Sequence, residues 1–229
     1  MKINKLSIVI PVYNEEKTLG GILARVEAVD LGVEKEIILL DDGSRDGSRG
    51  ILNEYAGKHK VVFHEKNQGK GAALRTGFKE TTGDYIVVQD ADLEYDPEDF
   101  KKMIAVAEEK GARVVYGSRV LQKNPKAGAF FYFGGRFLSW LANFLYGIKI
   151  TDEPTCYKMF ETQLLKSIPL ACEKFEFCPE ITAKVARLGV PIYEVAISYN
   201  PRSKKEGKKI RFKDGLIAVW VLIKYRFIK

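Results

Sequence analysis

Five times before residue 119 a short aliphatic, β-branched run breaks off into a polar loop, and four of those loops open a helix. No other feature of the chain restricts its fold as much. The runs are Leu6 to Val12, Glu36 to Leu40, Val61 to Phe63, Tyr85 to Val88 and Arg113 to Tyr116. Apolar runs without polar alternation mark strands covered on both faces, and strands alternating with helices pair in parallel through right-handed crossovers. The expectation is an α/β fold, a doubly wound, mostly parallel sheet with helices on both faces. With 229 residues the chain is expected to form one domain with a sizeable core. Ligands of such sheets bind beyond the carboxyl ends of the strands. Four polar segments fall there: Pro11 to Glu15, Asp41-Asp42-Gly43-Ser44, Asn67 to Gly71 and Asp90-Ala91-Asp92.

The last of these segments carries most of the chemistry. An extended chain would turn Asp90, Asp92 and Glu94 to one side, and clustered carboxylate oxygens suit a hard divalent cation. The competing reading, a strand end followed by a helix cap at Asp96-Pro97, accounts for Asp96 but leaves Asp90 and Asp92 without a counter-charge. For Asp42 two readings stand side by side: a nucleotide ligand, and an Asx turn onto Ser44 that Asp41 could serve as well. Gly69-Lys70-Gly71 is not a P-loop, because no Ser or Thr follows the lysine, and Pro11 to Glu15 lacks the glycine triplet of a dinucleotide fold. A nucleotide would bind instead through carboxylates to ribose and base, its diphosphate bridged by metal.

The second half changes character. Ala127 to Ile150 is dense in aromatics, and Arg136, Ser139 and Asn143 align on one stripe of a helix. That stripe reads either as a cationic, hydroxyl-bearing surface for an amphiphile's phosphate or as a solvated face. Phe175 to Leu188 is expected to be helical and Ile192 to Tyr199 a strand. The net charge of +7 is concentrated after Asn200, where ten Lys or Arg face only Glu206 and Asp214. There the loop Pro201 to Lys209 brings Arg202 and Lys208, placed to fold over phosphates or simply solvated. Phe212 to Lys229 reads as a closing helix whose apolar run, Leu216 to Ile223, is far below the ~20 residues that span a bilayer; it suits a membrane interface, a partner protein or the core. Cys156, Cys172 and Cys178 form no CxxC pair, which suits a reducing compartment. His59 and His64 make a poor metal set. Neither an RNA-binding aromatic signature nor a DNA-reading motif occurs, so no nucleic-acid partner is expected. Met1 to Asn14 has a strand pattern, so no secretory leader is expected.

Ser7-Ile8-Val9-Ile10-Pro11-Val12-Tyr13-Asn14-Glu15, Asp41-Asp42-Gly43-Ser44 with Asp46-Gly47, Gln89-Asp90-Ala91-Asp92 and Gly117-Ser118-Arg119, in this order and spacing, resemble the motifs of family 2 glycosyltransferases of the GT-A fold. Arg119, the Arg136 to Asn143 helix, Thr151-Asp152, and Arg202 with Lys208 make the chain most similar to polyprenol-phosphate hexosyltransferases, the dolichol-phosphate mannose synthase group. The resemblance implies a nucleotide-sugar-binding half (1–118), an acceptor half (119–211) and a closing or membrane-interface helix (212–229). It implies that Pro11, Tyr13, Glu15 and Asp42 hold base and ribose, and that Asp90 and Asp92, with Glu94, bind Mg²⁺ or Mn²⁺. Arg202 and Lys208 would hold the donor's diphosphate, and Arg119, Arg136 and Ser139 the acceptor's phosphate. Glu94 stands where those synthases usually have glutamine, and Pro154-Thr155-Cys156-Tyr157-Lys158 replaces the more usual Thr-Ser-Gly-Phe-Arg.

The implied reaction is inverting transfer of a hexose from GDP-mannose or UDP-glucose to a polyprenyl or dolichyl phosphate. The enzyme would sit peripherally on the cytoplasmic face of a membrane, with a membrane subunit as a candidate partner. Asp92, Arg119 and Asp152 are the implied catalytic residues. A phosphate acceptor is already ionised at neutral pH. A saccharide hydroxyl, the alternative acceptor, needs a base, and Asp152 is the carboxylate on offer. A third reading makes the chain a non-catalytic subunit that binds nucleotide sugar or lipid.

Overall fold

The central strand is β1 (Lys5–Val12), in which Leu6, Ile8, Val9, Ile10 and Val12 are wholly shielded from solvent. A computed structural model describes residues 2–126, 128–202 and 211–228, except for the side chains of Ala129 and Phe130. In it β1 pairs in parallel with β2 (Glu34–Asp41) on one side and β4 (Tyr85–Val88) on the other, and β3 (Lys60–Phe63) adds to β2. Helices α1 (Leu19–Ala28), α2 (Ser48–Tyr55), α3 (Lys70–Lys79) and α4 (Phe100–Lys110) follow these strands in turn. The chain continues through β5 (Val114–Ser118), α5 (Ala129–Tyr146), β6 (Lys158–Glu161), α6 (Thr162–Ser167), α7 (Phe177–Arg187), β7 (Tyr193–Ala196) and α8 (Phe212–Phe227). The sheet order is β3-β2-β1-β4-β6-β5-β7.

Strand direction departs from the alternation rule at one place. β6 lies antiparallel between β4 and β5, while β7 returns to parallel pairing on β5. Residue periodicity reports which faces are buried and carries no direction, so the reversal was not legible. Because β6 runs backwards, the segment that precedes it, residues 152–157, arrives at the edge where β1, β2, β4 and β5 end. The Tyr157 carbonyl there accepts from the Gly117 amide at 2.8 Å. Only glycine fits that approach, since a Cβ on Gly117 would lie 2.7 Å from Ile197.

The loops at this edge are knitted to one another. α1 starts only at Leu19, because Asn14 adopts a left-handed φ of 51° and residues 14 and 15 bond the loop after β2 and the first residue of α2. Asn14 N donates to Ser44 Oγ at 3.0 Å, Arg45 N to Asn14 Oδ1 at 2.8 Å, and Glu15 N to Ser48 Oγ at 2.8 Å.

A second, smaller core joins α5, α7 and α8 through Leu138, Leu141, Ala142, Ala183, Val221 and Leu222. Polar ties fix α8 in place: Tyr225 Oη donates to Glu180 Oε1 at 2.8 Å, and Tyr146 Oη to the Leu222 carbonyl at 2.6 Å. The outward faces of α5 and α8 stay apolar. Phe137, Trp140 and Phe144 form a stacked ladder with centroids 5.7 Å apart, and Leu216, Trp220 and Phe227 are exposed on α8. Among the described residues no helix is long and apolar enough to cross a membrane.

Candidate active site

A cavity of about 1360 Å³ opens at the carboxyl edge of the sheet. Pro11, Tyr13, Glu15, Asp42, Asp90, Asp92, Glu94, Arg119, Arg136, Asp152 and Arg202 all border it. The structure thus gathers most of the expected site residues around one space. Ser139 is not among them, and Lys208 lies outside the described residues.

Asp41 makes the turn, accepting from Ser44 N at 3.1 Å and from Arg49 Nε at 3.0 Å. Asp42 is thereby left to brace the loop before α3. Its carboxylate accepts from Gln68 N (2.9 Å), Gly69 N (2.8 Å) and Asn67 Nδ2 (2.8 Å), and lies 2.8 Å from His64 Nδ1. Gly69 can donate this way only as glycine: its φ is 97°, and a Cβ would sit 2.2 Å from the Glu173 carbonyl oxygen.

Asp90, Asp92 and Glu94 all border the cavity, but not through the extended alternation expected of them. The chain turns at Ala91-Asp92, and Leu93 takes a left-handed φ of 61°. Asp90 is gripped by Lys70 at 2.6 Å. Burial opposes its ionisation, but the Lys70 ammonium holds its carboxyl below the usual range. Asp92 Oδ2 accepts from Arg202 Nη2 at 3.0 Å and Oδ1 from Glu94 N at 3.1 Å. Glu94 turns aside to accept from Arg202 N at 2.9 Å. Burial, and then the nearby charges of Asp90 and Glu94, push the Asp92 carboxyl up to about 7. Arg202 also reaches Glu15 at 2.9 Å, so a single guanidinium bridges two loops.

On the far wall Asp152 is buried and clamped. Arg119 Nε and Nη2 each donate to it at 2.7 Å, and Arg119 N at 2.9 Å. Burial raises the Asp152 carboxyl and the guanidinium lowers it further, for a net shift below the ordinary range. The other face of Arg119 lies over the Tyr199 ring, 5.0 Å from its centroid. The polar stripe of α5 is tied to the 150–153 loop, with Arg136 still exposed at the cavity and Asn143 half-buried. Arg136 Nη1 donates to the Thr151 carbonyl (2.8 Å), and Asn143 bonds both backbone groups of Ile150 at 2.9 Å. Ser139 corrects its expected role: buried, it donates to the Gly135 carbonyl and accepts from Glu153 N, both at 2.9 Å, which leaves no donor for a phosphate. The stripe therefore zips α5 onto residues 150–153.

Three contributors escaped the sequence reading. Lys70 sat in a loop whose P-loop resemblance failed, although two carboxylates at a neighbouring strand end demanded a cation. Tyr199 shows nothing in sequence beyond a strand aromatic. Glu194 was one polar residue in an apolar strand, yet it accepts from Thr151 N at 2.8 Å and from Asp152 N at 3.2 Å. A half-buried carboxylate inside a strand demands such partners.

Among the described residues no three His, Cys, Asp or Glu side chains converge as metal ligands. Asp90 and Asp92 still fit a divalent cation. Mg²⁺ is commonly held by one or two carboxylates while substrate phosphates and water complete its shell. Burial first, and then the charges of Asp90 and Glu94, disfavour a bare Asp92 carboxylate, and a cation would relieve both.

A mixed seven-stranded sheet with helices on both faces and the site at its carboxyl edge is the GT-A architecture. The solved structure of glucosyl-3-phosphoglycerate synthase from Mycobacterium tuberculosis, in complex with Mn²⁺, UDP and phosphoglyceric acid, superposes with a TM-score of 0.75 over 99% of this chain and 80% of that one, at 19% identity. Residues 7–168 match the family model of glycosyl transferase family 2, and the chain belongs to that family. Its curated relatives include the dodecaprenyl-phosphate galacturonate synthase of Rhizobium johnstonii, 31% identical over 86% of this chain and 60% of that protein. Another is the undecaprenyl-phosphate 4-deoxy-4-formamido-L-arabinose transferase of Klebsiella pneumoniae, 33% identical over 83% and 59% respectively. The chain thus spans about 60% of the length of these relatives.

Proposed function

We propose that this chain transfers a sugar from a nucleotide sugar to the phosphate of a polyprenyl phosphate, at a lipid surface. The observation that carries this reading is Arg119, a half-buried guanidinium held by Asp152 on the wall of a cavity that Phe133 and Phe137 of α5 and Leu216 of α8 also line. A fixed cation beside apolar aromatic walls suits an amphiphile with an anionic head. The curated relatives are themselves named for transfer to dodecaprenyl or undecaprenyl phosphate.

In this reading Pro11, Tyr13, Glu15 and Asp42 hold the nucleoside, and Asp90 and Asp92 would hold Mg²⁺ or Mn²⁺. When bound, that ion supplies Lewis-acid stabilisation of the departing diphosphate. Arg119 and Arg136 orient the acceptor so that a phosphate oxygen meets the anomeric carbon as its bond to the diphosphate breaks, with inversion. No strong base is needed, because the acceptor is an anion at neutral pH. A saccharide acceptor would need one, and Asp152, with its oxygens committed to Arg119 and its carboxyl shifted down, is badly suited to take a proton.

The test is a donor panel with polyprenyl phosphate and Mg²⁺ or Mn²⁺. It would include GDP-mannose, UDP-glucose and UDP-linked uronate and 4-deoxy-4-formamido-arabinose. Radiolabel entering the lipid phase with one donor supports the reading; label in no lipid product with any donor overturns it.

The aromatic faces of α5 and α8 support a reading in which the cavity mouth rests against a bilayer surface. Trp and Phe favour the interfacial region, and Lys213, Lys224 and Arg226 on α8 add attraction to anionic headgroups of about 1 kcal/mol each. The double substitution Trp140→Ser with Trp220→Ser is expected to weaken sedimentation with anionic vesicles by about tenfold or more. Turnover of a short-chain, water-soluble prenyl phosphate should change little. Equal vesicle binding by both forms would remove these faces from the interface.

A further inference from the structure

We propose that Arg202 is the resident counter-ion of the Asp90/Asp92 site and exchanges places with a divalent cation, so that metal binds tightly only together with a nucleoside diphosphate. The inference rests on the assignment of Asp90 and Asp92 to metal in the proposed function. It adds a role for Arg202 in the empty site that a simple diphosphate ligand would not have.

Three observations carry it. First, the oxygens a cation needs are already engaged. Asp92 Oδ2 is bonded to Arg202 and Oδ1 to the Glu94 amide, while Asp90 Oδ1 is taken by Lys70. Secondly, Arg202 is held by charge from three sides and is incompletely bonded. Its Nη atoms face Glu15 and Asp92, but its buried Nε has no hydrogen-bond partner and stands 3.7 Å from Glu94. A diphosphate offers a guanidinium the paired oxygens this arrangement withholds. Thirdly, among the described residues Arg202 lies against three carboxylates, Glu15, Asp92 and Glu94, with Lys70 on Asp90. A cation placed on Asp92 beside Arg202 meets a positive charge at close range. A nucleoside diphosphate removes that conflict by drawing the guanidinium onto its own oxygens. Segment 199–202 makes such a move short, because it already runs beside the metal loop: Tyr95 bridges Tyr199, and Asn200 N donates to the Glu94 carbonyl at 2.8 Å.

Coupling of this kind is reciprocal, so it is visible in binding alone. Mn²⁺ affinity would be measured by electron paramagnetic resonance on the full chain, without nucleotide and then with saturating UDP or GDP. Wild type is expected to bind Mn²⁺ weakly alone and at least about tenfold tighter with the nucleotide that fits. Arg202→Gln is expected to bind Mn²⁺ alone about tenfold tighter than wild type and to gain much less from the nucleotide. Glu15→Gln, which loosens Arg202 without touching Asp90 or Asp92, should shift Mn²⁺ affinity in the same direction by a smaller factor, and it keeps the test open should Arg202→Gln fold poorly. A pure diphosphate-binding role predicts the reverse, with unchanged Mn²⁺ binding alone and weakened nucleotide binding; that result overturns the exchange. Absence of Mn²⁺ binding in every form, nucleotide included, overturns the metal assignment along with it.

Discussion

Asp92→Asn is expected to lower sugar transfer by about three orders of magnitude, roughly 4 kcal/mol of transition-state stabilisation, while making the metal-free protein more stable at pH 8. Both effects have one cause. Burial raises the Asp92 carboxyl first, the charges of Asp90 and Glu94 add to it, and Arg202 with the Glu94 amide offsets them in part, leaving the carboxyl at about 7. A carboxyl whose folded pKa lies above its unfolded value near 3.9 favours the fold while protonated and loses that contribution as pH rises through about 7. In the presence of a chelator, the gap in melting temperature between Asp92→Asn and wild type should therefore open between pH 5 and pH 8. A penalty of about 2–4 kcal/mol at the upper end corresponds to several degrees for a chain of this length. Such a penalty is what a site that must capture a cation costs an empty protein. Transfer within tenfold of wild type would remove Asp92 from the machinery, and a gap independent of pH would refute the raised Asp92 carboxyl.

How far this could be read beforehand differs between fold and site for physical reasons. The apolar run of β1 announced a strand covered on both faces, and its five wholly shielded side chains bear that out. The direction of β6 was invisible, because a burial pattern is the same read either way, yet that reversal brings Asp152 to Arg119. Asp90 and Asp92 were legible as carboxylates at a strand end. The turn at Leu93 that replaces the expected extended chain depends on one left-handed residue that no pattern of side-chain types announced. On α5 the helical period correctly aligned Arg136, Ser139 and Asn143, but alignment says nothing of what the stripe faces. It faces the 150–153 loop, and that contact spends the Ser139 hydroxyl. Arg202 was legible as a cation in a basic loop, whereas its three carboxylate partners come from positions up to 187 residues away.

Asp152 supplies the second large effect, and its sign separates positioning from proton transfer. Asp152→Ala leaves the Arg119 guanidinium half-buried beside Tyr199 without its bidentate partner, which is expected to cost about 3–5 kcal/mol of stability. Asp152→Asn is the sharper probe. The amide keeps one oxygen as acceptor but turns an NH₂ toward a guanidinium that has no acceptor to offer, so Arg119 loses its fixed direction. The expected result is a KM for polyprenyl phosphate raised by about tenfold to a hundredfold, with donor KM and donor hydrolysis unchanged and the pH profile of transfer unaltered in shape. Glu194→Gln should follow the same pattern more weakly, because Glu194 holds the Thr151 and Asp152 amides that set the Asp152 carboxylate in place. Were Asp152 a general base, the split would invert: kcat would collapse at constant acceptor KM, and the limb of the profile that reports its ionisation would vanish. The clamp of Arg119 on both carboxylate oxygens favours the first outcome. Simple loss of turnover in Asp152→Asn does not decide between the two roles, whereas the KM and pH readouts do.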